Sequence, residues 1–161
     1  MRSEEDASRA IDLYRDTVKR ICMVHLKNYS DTEDIFQTVF LKYVLHAPAF
    51  DSPEHEKAWI IRVTINACKD LLKSFFRSRT LPLDSITEKP GQPQPEYSGV
   101  LEAVLSLPDK YKDVIYLYYY EDYTAAEISR LLNKNVHTVY TLMNRGREIL
   151  KQKLEEAEEN G

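Results

Sequence analysis

Four of the seven prolines in this 161-residue chain fall between positions 82 and 95, inside LPLDSITEKPGQPQPEYSG (81–99). That segment has a Pro-Gly pair and no hydrophobic periodicity, so it reads as an exposed, flexible linker. The chain is long enough for one ordinary domain or two small ones, and the linker selects the second option. The expected boundaries are a first domain over 1–80, a linker over 81–99 and a second domain over 100–161.

Both halves are expected to be helical. Hydrophobic residues make up 43% of the chain, enough for a core, while glycines number only four and cysteines two. The expected fold is all-α, two small helical domains joined by a flexible linker. No long uncharged apolar run is present, so no membrane span is expected. The acidic, polar start MRSEEDASRA does not fit a secretory signal, and a cytoplasmic location is expected. Cys22 and Cys68 lie in apolar contexts without C-x-x-C spacing and read as buried, reduced thiols.

The net charge of −4 argues against holding DNA by bulk charge. Its distribution is more informative. Lys57, Arg62, Lys69, Lys73, Arg77 and Arg79 face a single acid, Asp70, over their span. Lys134, Arg145, Arg147, Lys151 and Lys153 likewise face only Glu148. Two basic stretches on an acidic chain point to two local nucleic-acid contacts.

In the first half, residues 4–27 form one or two amphipathic segments. Ser30 with Glu33 has the spacing of a capping box. The helix that follows places Ile35, Phe36, Val39, Phe40 and Tyr43 on an apolar side, with Asp34, Gln37, Thr38 and Leu41 opposite. A loop, APAFDSPEHEK, carries Pro48 and Pro53. After it a longer helix is expected from near Ala58 to about Arg77, with Ile61, Ile65, Cys68, Leu72 and Phe75 as its apolar stripe. Arg62, Asn66, Lys69, Lys73 and Arg77 form the opposite, polar and basic stripe.

In the second half, Leu107-Pro108 opens a helix with proline at a tolerated position. Thr124 and Glu127 form a capping box for a short helix through Leu132. Asn133 suits a left-handed turn. Asn135 then caps a last helix from Val136 to about Leu154, buried along Val139, Met143, Gly146 and Leu150. A short helix, a tight turn and a longer helix with a polar, basic outer face is helix-turn-helix geometry.

Taken together these stretches resemble a known family. DTEDIFQTVFLKYV (31–44) resembles the D-x-E-D-x-x-Q-x-x-F signature of region 2 in bacterial sigma factors, and AWIIRVTINACKDLLKSFFR (58–77) resembles the helix that follows it. LPDKYKDVIYLYYYEDYTAAEISRLLNKNVHTVYTLMNRGREIL (107–150) looks like region 4, the sigma helix-turn-helix. The short length, with only a linker between the two, is similar to the extracytoplasmic function (ECF) group.

The resemblance implies a factor that joins bacterial core RNA polymerase at its clamp and flap and directs initiation at promoter DNA. Asp31, Asp34, Gln37 and Leu41 would face the clamp. Arg62, Asn66, Lys69, Lys73 and Arg77 would meet the −10 element, and the loop Asp51–Lys57 would capture a flipped base. His137, Thr138, Tyr140, Thr141, Asn144, Arg145 and Arg147 would meet the −35 element. In the recognition helix three positions depart from the family pattern. Tyr140 and Leu142 stand where lysine and arginine are usual, and Gly146 replaces a usual alanine. An anti-sigma partner is common in this group, and nothing in the sequence shows one.

Simpler readings stand beside these. Capping explains Ser30 and Glu33, but not Gln37 and Leu41. Any single lysine is most often on a solvated face, whereas five polar or basic residues on one stripe favour DNA. Trp59 reads as a packing residue. His25, His46, His55 and His137 lack metal-ligand spacing, no cofactor motif is present, and no enzyme activity is expected. The alternative function is an autonomous helix-turn-helix regulator. Finally, YLYYYEDY (116–123) puts five tyrosines in eight residues. Tyr118 is expected on one helix face with Tyr111, Val114 and Ile115. Helical phase puts Tyr116 and Tyr120 opposite, at the rim, while the resemblance implies that Tyr119 and Tyr123 pack in the core under the next helix and that Asp122 stands in a turn where the family frequently has glycine.

Overall fold

The computed structural model describes residues 1–77 and 99–160, and among them every regular element is a helix. The chain separates into two compact units, Met1–Pro95 and Glu96–Gly161. The first contains α1 (Glu4–Leu26), α2 (Tyr29–His46) and α3 (Pro53–Arg77). The second contains α4 (Gly99–Leu105), α5 (Asp109–Tyr119), α6 (Ala125–Leu132) and α7 (Val136–Asn160). The expected linker lies outside the described residues except for its last residue, Gly99, which opens α4.

The segment expected as one or two helices over 4–27 is a single helix. The Ser3 hydroxyl accepts the Asp6 N–H at 3.1 Å, and Glu4, Glu5 and Asp6 complement the helix dipole. Lys27 ends α1 in the left-handed conformation, φ 59°. The turn is so short that Asn28, extended, already caps α2. Its side-chain carbonyl accepts the Asp31 N–H at 2.8 Å, and its amide donates to the Asp31 carboxylate at 2.8 Å. This corrects the capping box expected from Ser30 and Glu33. Ser30 falls inside the first turn, and Glu33 pairs with Lys19 of α1 at 3.3 Å.

Helix α3 begins five residues before the expected Ala58. Pro53 takes the first helical position, where its missing N–H has no cost. The Ser52 hydroxyl accepts the His55 N–H and the Ser52 carbonyl accepts the Glu56 N–H, both at 3.1 Å. The proline that reads as a loop marker is therefore a helix start. The three helices enclose Ala10, Tyr14, Val18, Cys22 and Leu26 of α1, Ile35, Val39, Phe40 and Tyr43 of α2, and Ile60, Ala67 and Cys68 of α3. Cys22 and Cys68 are free thiols, fully buried, with sulfurs 3.9 Å apart.

In the second unit α5 is covered on all sides from Tyr111 to Leu117. Helix α4 adds an element that the sequence pattern does not suggest. It has only seven residues, too few to show a periodicity, and Lys112 of α5 reaches its end by donating to the Leu105 carbonyl at 3.4 Å. Pro108 precedes α5 rather than joining it, its carbonyl accepting from Tyr111 and Lys112. Helix α7 runs to Asn160, beyond the expected Leu154. It lies close against α5. A Cβ at Gly146 would sit 3.1 Å from Ile115 Cγ1 and 3.3 Å from Tyr111 Cβ, which gives a reason for glycine there.

The tyrosine assignments need correction. Tyr116 is a core residue, 5% exposed, with its hydroxyl donating to Glu121 at 2.7 Å. Tyr119 is 52% exposed, and Tyr118 also emerges, although Tyr111, Val114 and Ile115 are buried. Helical phase alone misleads because the cover over α5 stops at Leu117. Tyr120 is exposed and Tyr123 half-buried; burial, with Glu121 and Glu127 nearby, pushes the Tyr123 hydroxyl up to about 12. Asp122 adopts φ 58°, the conformation for which glycine is suited.

Candidate nucleic-acid interface

Helix α3 has two distinct sides. Ile61, Ile65 and Cys68 are buried, while Arg62, Asn66 and Lys73 are exposed and Lys69 is half-buried. Leu72 and Phe75, expected on the apolar stripe, are half-buried. The side chain of Arg77 lies outside the described residues. The exposed side therefore offers an amide, which both donates and accepts, within a row of cations.

Helix α2 turns Asp34, Gln37, Thr38 and Leu41 to solvent, with Leu41 59% exposed. Asp31 sits apart from them. It is 4% exposed and engaged by Asn28, so its carboxylate organises the helix start. Leu45, one turn after Leu41, is also exposed. The spacing from Leu41 was the signal for it, and it extends the apolar part of this face.

Sequence reasoning missed the polar centre beside the 47–52 connection. The Glu56 carboxylate accepts from Arg9 at 2.9 and 3.1 Å, from Tyr14 at 2.8 Å and from Tyr43 at 2.8 Å. Burial alone would raise its pKa, but the bonds from Arg9, Tyr43 and Tyr14 outweigh burial and hold it down to about 2. Burial and the Glu56 charge push the Tyr43 hydroxyl up to about 12, and raise Tyr14 as well. The bond to Glu56, then that to Asp6, raises Arg9. The partners come from α1 and α2 and the carboxylate from α3, so local patterns could not reveal them.

The helix-turn-helix closes as its sequence suggests. Thr124 and Glu127 exchange backbone and side-chain bonds at 3.2 and 3.0 Å. Asn133 is left-handed at φ 54°, and the Asn135 side chain accepts the His137 N–H at 2.8 Å. His137, Thr138, Tyr140, Thr141, Asn144 and Arg145 are exposed on α7, whereas Leu142 is buried, 8% exposed. Arg147 differs from them. Its Nε donates to the Tyr119 hydroxyl at 2.7 Å, and its guanidinium lies 5.5 Å from both the Tyr118 and Tyr119 ring centroids. Tyr119, Arg147, Leu150 and Leu154 line an open groove of about 290 Å³. Among the described residues no cluster of histidine, cysteine and carboxylate could hold a metal ion.

The family model described as Sigma-70 region 2 matches residues 10–79, and that described as Sigma-70, region 4 matches residues 98–150. The chain belongs to the sigma-70 family. It is an RNA polymerase sigma factor of the ECF type. Its relatives include the ECF RNA polymerase sigma factor SigW of Bacillus subtilis, 27% identical over 95% of this chain and 91% of SigW. SigV of the same organism is 26% identical over 84% and 82% of the two chains. The fold of this sigma factor is similar to that of RpoE in its complex with the anti-sigma factor NepR from Bartonella quintana. That match has a TM-score of 0.75 and 16% identity, covering 94% of this chain and 98% of RpoE. CnrH, solved with the cytosolic domain of CnrY, has a TM-score of 0.68 and 17% identity, over 95% and 90% of the two chains. No helix among the described residues of this sigma factor is long and apolar enough to cross a membrane.

Proposed function

We propose that the two units divide promoter recognition: the first joins core polymerase through α2 and opens the −10 element along α3, and the second meets the −35 element through α7. The observation that carries this reading is the division of α3. Arg62, Asn66 and Lys73 face solvent while the opposite side fills a core shared with α1 and α2. Asn66 would read a base edge, and Arg62, Lys69, Lys73 and Arg77 would hold phosphates, a contact weakened by salt. Asp34, Gln37 and Leu41 would meet the clamp directly, with Asp31 supporting them from the helix start. An exposed leucine beside hydrogen-bonding groups is what a protein interface uses.

Base capture belongs to the 47–52 connection, since Pro53–Lys57 is already helical. Along α7, His137, Thr138, Tyr140, Thr141, Asn144 and Arg145 would approach the major groove. Arg147 would have to leave Tyr119 to reach a phosphate. So few cations favour weak −35 binding by the isolated chain. The polymerase performs all chemistry, in the cytoplasm, and the chain itself needs no cofactor. An anti-sigma factor is a further partner, an extension supported by the complex with an anti-sigma factor in which the similar RpoE fold was solved.

Transcription with core polymerase and a selected promoter pool tests the reading. Promoter-specific transcripts should appear only when the protein and core enzyme are both present. Asn66→Ala should lower permanganate reactivity of the −10 thymines about tenfold while core binding stays unchanged, a loss on the scale of 1–3 kcal/mol for a base contact. Failure to join core polymerase would sink the proposal.

A further inference from the structure

The second residue of the chain is built into the first unit. The Arg2 N–H donates to the Val44 carbonyl at 3.0 Å. Its guanidinium donates to the carbonyls of Ala47 at 3.0 Å and Pro48 at 2.6 Å, and pairs with Asp6 at 3.2 Å. The same group lies 4.8 Å from the Tyr43 ring centroid and 5.0 Å from that of Phe50, and the side chain is only 19% exposed. These bonds tie the segment before α1 to the exit of α2. There the last helical carbonyls lack partners of their own, and a cation suits the dipole.

The connection that leaves this point is held from its other end as well. Phe50 packs edge-on against His55 at 5.2 Å and Trp59 at 5.9 Å, and stacks on Tyr43 at 6.3 Å. The Asp51 N–H donates to the His55 ring at 3.2 Å. Clamped at both ends, the connection exposes Pro48, Ala49 and Asp51.

We infer that Arg2 is a positioning residue for the 47–52 connection, holding it in the shape that receives an unpaired promoter base. The inference rests on the reading above that this connection captures the base. A loop already in its receiving shape loses less freedom on capture. The arginine fork serves two carbonyls, a carboxylate and two rings at once, which a lysine point charge cannot do.

The experiment uses the full chain with core polymerase, and promoter DNA carrying 2-aminopurine at each −10 position in turn. Arg2→Ala should slow promoter opening about tenfold, the equivalent of about 1.4 kcal/mol, and flatten the preference among bases at the captured position. Hydrogen exchange of the amides in the 47–52 connection should rise, with core affinity unchanged and any loss in the Trp59 unfolding transition smaller than the loss in promoter opening. Arg2→Lys should not restore the preference. Wild-type opening and preference in Arg2→Ala would overturn the inference, as would full rescue by lysine. A loss matched by an equal loss in the Trp59 transition would also overturn it, since that marks a role in folding alone. Replacing 47–52 with a glycine-serine connection of equal length tests the underlying reading separately. If base preference survives that exchange, capture happens elsewhere, whatever Arg2 does.

Discussion

At the start of α3, Glu56 gathers Arg9 and Tyr14 from α1 and Tyr43 from α2. At the start of α6, Glu127 turns back on Thr124, three residues before it. Both are glutamates in the first turn of a helix, and both are held below the usual carboxylate range. One secures contacts between distant segments, and the other secures only its own turn. The edge proposed for −10 opening is thus fixed by tertiary bonds, and the helix-turn-helix by local geometry. Damage to the first should spread through its unit, while damage to the second should stay small.

The largest test is Glu56→Ala. It removes a buried carboxylate with four accepted bonds, takes the acceptor from the Tyr14 hydroxyl and leaves Tyr43 only the longer bond to Asp6 at 3.2 Å. A loss of about 4 kcal/mol is expected for breaking such a centre. Trp59 is the chain's single tryptophan and packs against Tyr43 and Phe50, so its fluorescence reports this unit alone. Urea unfolding followed at Trp59 should shift while the second unit's tyrosine signal does not. A shift under about 1 kcal/mol would reduce the centre to decoration.

Acid sharpens the same contrast. Glu56 is depressed from 4.5 to about 2 in the folded protein. Its contribution is therefore complete above pH 4.5 and is lost as pH falls from there toward 2. The difference corresponds to about 3 kcal/mol of stability. The Trp59 transition of the native protein should weaken across that window, and Glu56→Gln should remove most of the dependence. Glu127 has the same sign but stands near solvent, so the second unit should respond less. An equal acid response in both units would break the comparison.

The difference between the units also explains what the sequence could reveal. The box at Thr124, the left-handed Asn133 and the cap at Asn135 each depend on residues within four positions, and all three are legible in the order of the residues. In the first unit the apolar and polar sides of α2 and α3 are legible from periodicity. The true cap at Asn28 is hidden by a matching but unused Ser30–Glu33 pair, because choosing between them requires knowing where α1 stops. Glu56 looks like one acid in a proline-marked loop, since its partners lie 13 to 47 residues away. Tyr116 and Tyr118 exchange roles because phase gives the direction of a side chain and not the extent of its cover, and Tyr119, placed in the core by the family pattern, emerges where that cover ends. The candidate sites follow the same division: Asn66 and Arg62 are legible on a helix face, whereas no local pattern shows Arg147 resting on Tyr119.

A smaller loss is expected from Thr124→Ala. It removes one side-chain acceptor from an exposed cap, worth about 1 kcal/mol. The Trp59 transition should be unchanged and the tyrosine-monitored transition of the second unit lowered by that amount. −35 binding by the assembled holoenzyme should weaken no more than about fivefold, the equivalent of the same energy. A loss near that of Glu56→Ala would show that the helix-turn-helix depends on more than its own turns.

The smallest effects come from the three left-handed non-glycine residues among the described ones, and they allow the finest division of local from distant control. Lys27, Asp122 and Asn133 have φ of 59°, 58° and 54°. The left-handed region costs most residues about 1 kcal/mol relative to glycine, and asparagine less, because its amide suits that conformation. Asp122→Gly should therefore stabilise the second unit by about 0.5 kcal/mol, and Asn133→Gly should do almost nothing. Lys27→Gly is the decisive member of the series because it places the same local change in the unit dominated by distant contacts. If backbone conformation acts independently of tertiary context, it should stabilise the first unit by about as much as Asp122→Gly stabilises the second. Should Lys27→Gly instead weaken the Trp59 transition, the α1–α2 turn depends on the lysine side chain. Even this local feature of the first unit would then belong to its tertiary network.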